Sequence, residues 1–301
     1  MVYLSLEKGS YAMNDKNAVL AHISNDFNLE RIKNLSLPEK FKLVHFIKLI
    51  HKEAEFAEAN GITSLNKSPN YTKNKTYNLF AMLVVNGTRF DVIEEIVANY
   101  ARNFRKSDIY YSQVSLLGIG VMLIMNKFKP EAILNYLMLL LGEEFLTDNL
   151  KYDGFVDKDL DEEMILDAQI VYKPFEGKIR ALKYDLLALL KLGNEKGIDY
   201  VKDIINNSYD NKLLAFYFNM MNVDCEDTVQ VMYKEFKLNS SRTERLMMTG
   251  AYAILHNCDV FNTHYVFNSI IGKYSRYNKD SNEIEDELET RLKMILENYN
   301  K

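Results

Sequence analysis

The chain has 301 residues, long enough for two domains that each bury a core. Its 37 basic and 42 acidic residues leave a net charge of -5, and no run of Lys or Arg is long enough to follow a phosphate backbone, so neither nucleic acid nor an anionic membrane is an expected partner. Two cysteines, Cys225 and Cys258, form neither a disulfide framework nor a spaced ligand set, and they suit a reducing compartment.

Met1 to Met13 lacks a charged stretch followed by an apolar one, so no signal peptide is expected and the expected location is cytoplasmic. Residues 1–38 read as a helical extension. Ser36 with Glu39 forms a capping box, after which Phe41, Val44, Ile47, Ile50, Ala54 and Ala57 fall on one helix face until Gly61 stops it. An apolar helix then closes on the turn Val84, Val85, Asn86, Gly87, Thr88, and Thr88 with Asp91 marks the next helix start. Val114 to Met125 and Ala132 to Leu141 are the most apolar segments, each below the roughly 20 residues that cross a bilayer. Polar Asn126, Lys127 and Lys129 separate them, and Pro130 suits the first turn of the second. Both read as buried helices of a soluble core, with no membrane insertion.

Residues 143–175 read as an acidic connector. Asp157, Asp159 and Asp161 begin a calcium-loop pattern, but Glu162 stands where glycine is needed and Ala168 where a bidentate carboxylate belongs, so calcium is not expected. A second helical domain follows over 176–272, with another start signal at Asp224 and Asp227. The last segment, 273–301, is an amphipathic helix from Ser281 with Ile284, Leu288, Leu292 and Ile295 in one stripe, expected to pack on its own domain.

The two domains read as copies of one unit, 39–142 and 176–272. Asn60, Gly61, Ile62 matches Lys196, Gly197, Ile198, and Val84 to Thr88 matches Met220 to Asp224 at the same offset. Gly120 to Asn126 reads against Ala251 to Asn257, and Pro130 to Gly142 against Phe261 to Gly272. The expected fold is all-α, two tandem, internally duplicated helical domains. A duplicated helical unit is more often a surface for partners than a reaction centre.

The first copy resembles the cytoplasmic part of the flagellar stator A subunit, the MotA family. The resemblance rests on Ala57, Gly61, Ile62 and Leu65 at the end of one helix, on Val84, Val85, Asn86, Gly87, Thr88 before a short helix, and on Gly120 to Ile124 leading to Pro130, Ile133 and Leu137. It covers most of residues 40–142 and extends more faintly over 178–272. It implies a helical module that docks on a protein partner, with flagellar stator or rotor components as candidates. The family's two membrane helices have no counterpart, since only Ala98 to Gln113 stands in their place, so the chain is not expected to conduct ions. The family's rotor-contacting arginine and glutamate are replaced by Glu58 and Asn66 in the first copy and by Asn194 and Lys202 in the second. These four mark the partner-contact region that the resemblance implies.

No catalytic residue, cofactor or metal site is expected. His45 and His51 are six apart and do not share a helix face as an i, i+4 metal pair does. His256, Cys258, Asp259 and His264 flank a helix–helix turn without ligand spacing and read as capping and packing groups. Gly118 and Gly120 lie inside an apolar helix and read as close-packing positions rather than a phosphate loop. The tyrosines and the paired methionines Met220, Met221, Met247 and Met248 read as composition and core filling. The alternatives are a helical-repeat scaffold without motility and a metal-dependent or small-molecule enzyme using a pocket between the two copies with His256, His264 or the acidic connector.

Overall fold

The computed structural model describes residues 15–70, 74–147, 177–207, 211–222, 233, 240–272 and 281–299. These residues are 84% helical and contain no strand, so the protein is all-α. They fall into two compact units, one on each side of the acidic segment.

The first unit holds α1 Lys16–Asp26, α2 Leu29–Lys33, α3 Leu37–Asn60, a 3₁₀ helix Ile62–Lys67, α4 Lys75–Val85, α5 Phe90–Asn103, α6 Asp108–Met125, α7 Pro130–Leu141 and α8 Glu144–Thr147. At its centre lies α6, where every residue from Tyr111 to Met125 is buried and against which α2, α3, α4, α5 and α7 pack. With 18 residues, α6 is longer than its apolar run Val114 to Met125 and could cross a bilayer by length and composition alone. Its 83% burial inside the unit makes it a core helix here. The polar segment Ala98 to Gln113 is interior at its two ends, with Asn99, Ser112 and Gln113 buried, while Arg105, Lys106 and Asp108 between them are exposed.

Local chemistry explains most of the boundaries. The Ser36 amide donates to Glu39 Oε2 at 3.0 Å, closing one side of the capping box at α3. Gly61 ends α3 at φ +87, where a side chain would be strained, and Gly197 ends the matching helix at φ +91. The reading of Thr88 as a helix start is corrected. Its amide donates to Leu83 O at 2.9 Å, wrapping the end of α4, and α5 starts at Phe90 with Arg89 as the capping residue. Residues 143–147 do not stand clear of the fold: Lys40 donates to Glu144 at 2.9 Å and Phe145 packs edge-on to Phe41. The rest of the acidic segment, with Asp157, Asp159 and Asp161, lies outside the described residues, as do Asp224, Cys225 and Asp227.

The second unit holds α9 Lys178–Lys196, α10 Ile198–Asn207, α11 Lys212–Met221, α12 Arg242–Leu255, α13 Val260–Ile271 and α14 Ser281–Tyr299. Its helix pairs follow those of the first. α9 packs on α12 and α13 as α3 packs on α6 and α7, α11 packs on α12 as α4 packs on α6, and α10 bridges α9 and α11 as the 3₁₀ helix bridges α3 and α4. Lys127 and Asn257, the non-glycine residues with positive φ among those described, occupy the same place in the two turns. Around them the bonds Phe128 N to Leu123 O and Cys258 N to Ala253 O measure 3.1 and 2.9 Å. This matching moves the sequence register by one residue, pairing Gly120 with Gly250 rather than with Ala251. α14 lies along α9, burying Ile284, Leu288 and Ile295, with Arg291 at 3.5 Å from Asp185.

Candidate interaction cleft

Where α3 ends, the chain turns through Gly61 into the 3₁₀ helix and opens a cavity of about 500 Å³ against the α6–α7 turn. Ala54, Ala57, Ile62, Ile124 and Phe128 give it an apolar lining, while Glu58 and Lys127 bring opposite charges to it. The positive φ of Lys127 and the wrap from Phe128 to Leu123 fix one wall. α1 braces that wall: Lys16 donates to Lys127 O at 3.1 Å, and its ammonium lies 4.9 Å from the centre of the Phe128 ring.

The matching place in the second unit is laced together. Asn194 and Glu58 each stand three residues before the turning glycine, and Asn194 Nδ2 donates to Cys258 O at 3.0 Å. Cys258 corresponds to Phe128. An ionised Glu58 carries acceptors only, so it cannot make that bond to a carbonyl. The bond from Asn194 is therefore one difference between the two places.

Of the four contact residues taken from the resemblance, Glu58 lines the cleft and Asn194 makes the tie. Asn66 is exposed on the 3₁₀ helix outside the lining, and Lys202 is half-buried on α10. The histidines near the α12–α13 turn have separate duties. His256 ends α12 and stacks 4.1 Å from Tyr252, while Asp259 caps α13 through the Asn262 amide at 2.7 Å. His264 Nε2 sits 2.9 Å from Asn268 Nδ2, and Lys183 donates to Asn268 Oδ1 at 2.7 Å. That chain is a buried polar link from α9 to α13.

Two buried acids escaped the sequence reading. Glu53, fully buried on α3, accepts from the Ser68 hydroxyl and from Tyr77 OH, the latter at 2.7 Å. Glu94, 1% exposed on α5, faces His22 Nδ1 of α1 at 3.2 Å, with Asp26 one helical turn along from His22. The hydrogen bond to Glu94 raises the His22 pKa above its ordinary 6.5, and burial raises that of Glu94 above its ordinary 4.5, with the nearby Asp26 carboxyl adding to the rise. Both groups hold their protons more tightly folded than unfolded. Stability from this pair is complete below the unfolded pKa values and is lost as pH rises through the folded ones. In chelator, the stability of wild type relative to Glu94→Gln is expected to fall from pH 5 to pH 8; a difference that rises with pH in urea titrations contradicts the assignment.

Comparison with protein-family models, with curated proteins and with solved structures returns no match to this chain.

Proposed function

We infer that this chain is a non-catalytic, cytoplasmic interaction protein, built by duplication of one helical module, that docks a protein partner at the cleft beside Glu58. The observation that carries this reading is the cavity itself. A volume of about 500 Å³ with an apolar lining and two charges falls in the range of recognition pockets, and it suits an apolar anchor side chain flanked by polar contacts. The shared helix pairings and turns support duplication. The resemblance to the stator's cytoplasmic module places partner contact at the position of Glu58 and makes stator or rotor components the first partners to seek. The Asn194 tie distinguishes the modules and supports the first as the docking copy.

Capture of partners by the tagged full chain from its native cells tests this. Glu58→Asn restores the donor that the second unit uses, and Thr63→Trp fills the cleft from a solvent-exposed position. Each is expected to lower recovery of the specific partner by about ten-fold or more, the cost of losing one good anchor pocket. Recovery unchanged by both substitutions removes the cleft as the docking site. Enrichment of stator or rotor proteins supports attachment to the motor, and enrichment of some other partner replaces it with a different assembly.

A further inference from the structure

Outside the cleft, one side-chain cluster combines ligand chemistry with an unmet need. His22 and Asp26 are four residues apart on α1 and so share a face, and Glu94 meets them from α5. One ligand atom from each of the three lies within 4.8 Å of the others. Glu94 is buried, its Oε2 faces the His22 ring, and its Oε1 has no hydrogen-bond partner. Buried carboxylate oxygens are seldom left without a donor. The Asp26 carboxyl beside it supplies no counter-charge.

We propose that His22, Asp26 and Glu94 bind one divalent transition-metal ion that fastens α1 to α5. A cation gives Glu94 Oε1 a partner and draws the two carboxyl groups and the imidazole to one centre. One imidazole nitrogen with two carboxylate oxygens is a donor set for zinc, manganese, iron(II) or cobalt, whereas calcium and magnesium favour oxygen alone. Ligand atoms around such an ion lie about 3 to 3.5 Å apart, given bonds of about 2.0 to 2.2 Å. The cluster must contract modestly, and the half-buried His22 and Asp26 side chains have room to turn inward. Their exposure also supplies an entry path.

The site differs from the cleft, yet α1 connects them. Lys16, at the start of the helix that carries His22 and Asp26, bonds the turn that forms the cleft wall. A bound ion holds α1, and with it that brace, in place.

The test uses the full chain, stripped with chelator and titrated with Zn²⁺ and Mn²⁺ by calorimetry and with Co²⁺ by visible absorption. One ion per chain is expected, with a dissociation constant of about 10 µM or tighter for zinc. His22→Gln and Glu94→Gln are each expected to weaken binding at least about ten-fold, as loss of a ligand does. Asp26→Asn, a half-buried position, serves as a third ligand variant. The melting temperature of each metal-free variant reports whether it is folded. Zinc binding weaker than about 1 mM, or binding that all three folded variants leave unchanged, overturns the proposal.

Discussion

Glu53→Ala is expected to destabilise the first unit by about 3 to 4 kcal/mol, from the loss of two buried hydrogen bonds together with a cavity in the core. The carboxylate is fully buried and takes both the Ser68 and the Tyr77 hydroxyls, so it joins α3 to the end of the 3₁₀ helix and to α4. Removing it takes away the acceptor 2.7 Å from the Tyr77 hydroxyl, at a position with no exposure to water. The second unit shows the apolar solution to the same packing problem. Leu189 stands eight residues before Gly197, as Glu53 stands eight before Gly61, and it is also fully buried. Glu53→Leu combined with Tyr77→Phe should therefore recover most of the loss, because removing both partners of a buried polar pair costs far less than removing one. Urea unfolding of the three proteins, with hydrogen exchange on α3 and α4, checks this. A loss below about 1 kcal/mol in Glu53→Ala would show that the network contributes little net stability.

The same contrast explains which parts of the fold were legible in the sequence. Helix ends were legible where the signal is local, as at Ser36, Gly61, Gly197 and Pro130, because capping and backbone preference act within a few residues. Thr88 misled because α5 starts at Phe90 with Arg89 at the capping position, while the Thr88 amide closes the end of α4. Apolar runs carry no landmark, so the sequence matching of the two units and the match of their turns at Lys127 and Asn257 differ by one residue. Nothing in a lysine announces a left-handed backbone. Buried Glu53 and Glu94 look like ordinary polar positions on amphipathic helices. Their partners, Tyr77 and His22, lie 24 and 72 residues away, and only tertiary packing brings them together. The four-residue spacing of His22 and Asp26 was readable, and their third ligand was not. Glu58 entered through the resemblance alone. The cavity beside it arises from three separate elements and has no local pattern.

Gly118→Ala is expected to cost about 2 kcal/mol even though alanine is the better helix former by about 1 kcal/mol, because overpacking at this site outweighs propensity. A Cβ built at Gly118 falls 2.0 Å from Val97 Cγ1 and 2.9 Å from Val97 Cβ. The methyl groups of a valine can turn, but its Cβ moves only if α5 moves. At Gly120 the obstacle is Ile50 of α3, at 2.5 Å from Cγ2, and at Gly250 it is the δ carbons of Leu186, at 2.7 and 2.9 Å. A leucine tip swings aside more cheaply than a branched Cβ. The expected order of destabilisation is therefore Gly118→Ala, then Gly120→Ala, then Gly250→Ala. Val97→Ala should relieve the first specifically, so the double variant should be more stable than the sum of its single changes by about 1 kcal/mol or more. Thermal melts of the set decide it. Equal effects at all three glycines, or no coupling between Val97 and Gly118, would mean that the close crossing of α5 and α6 yields without strain and that these glycines serve the helix backbone alone.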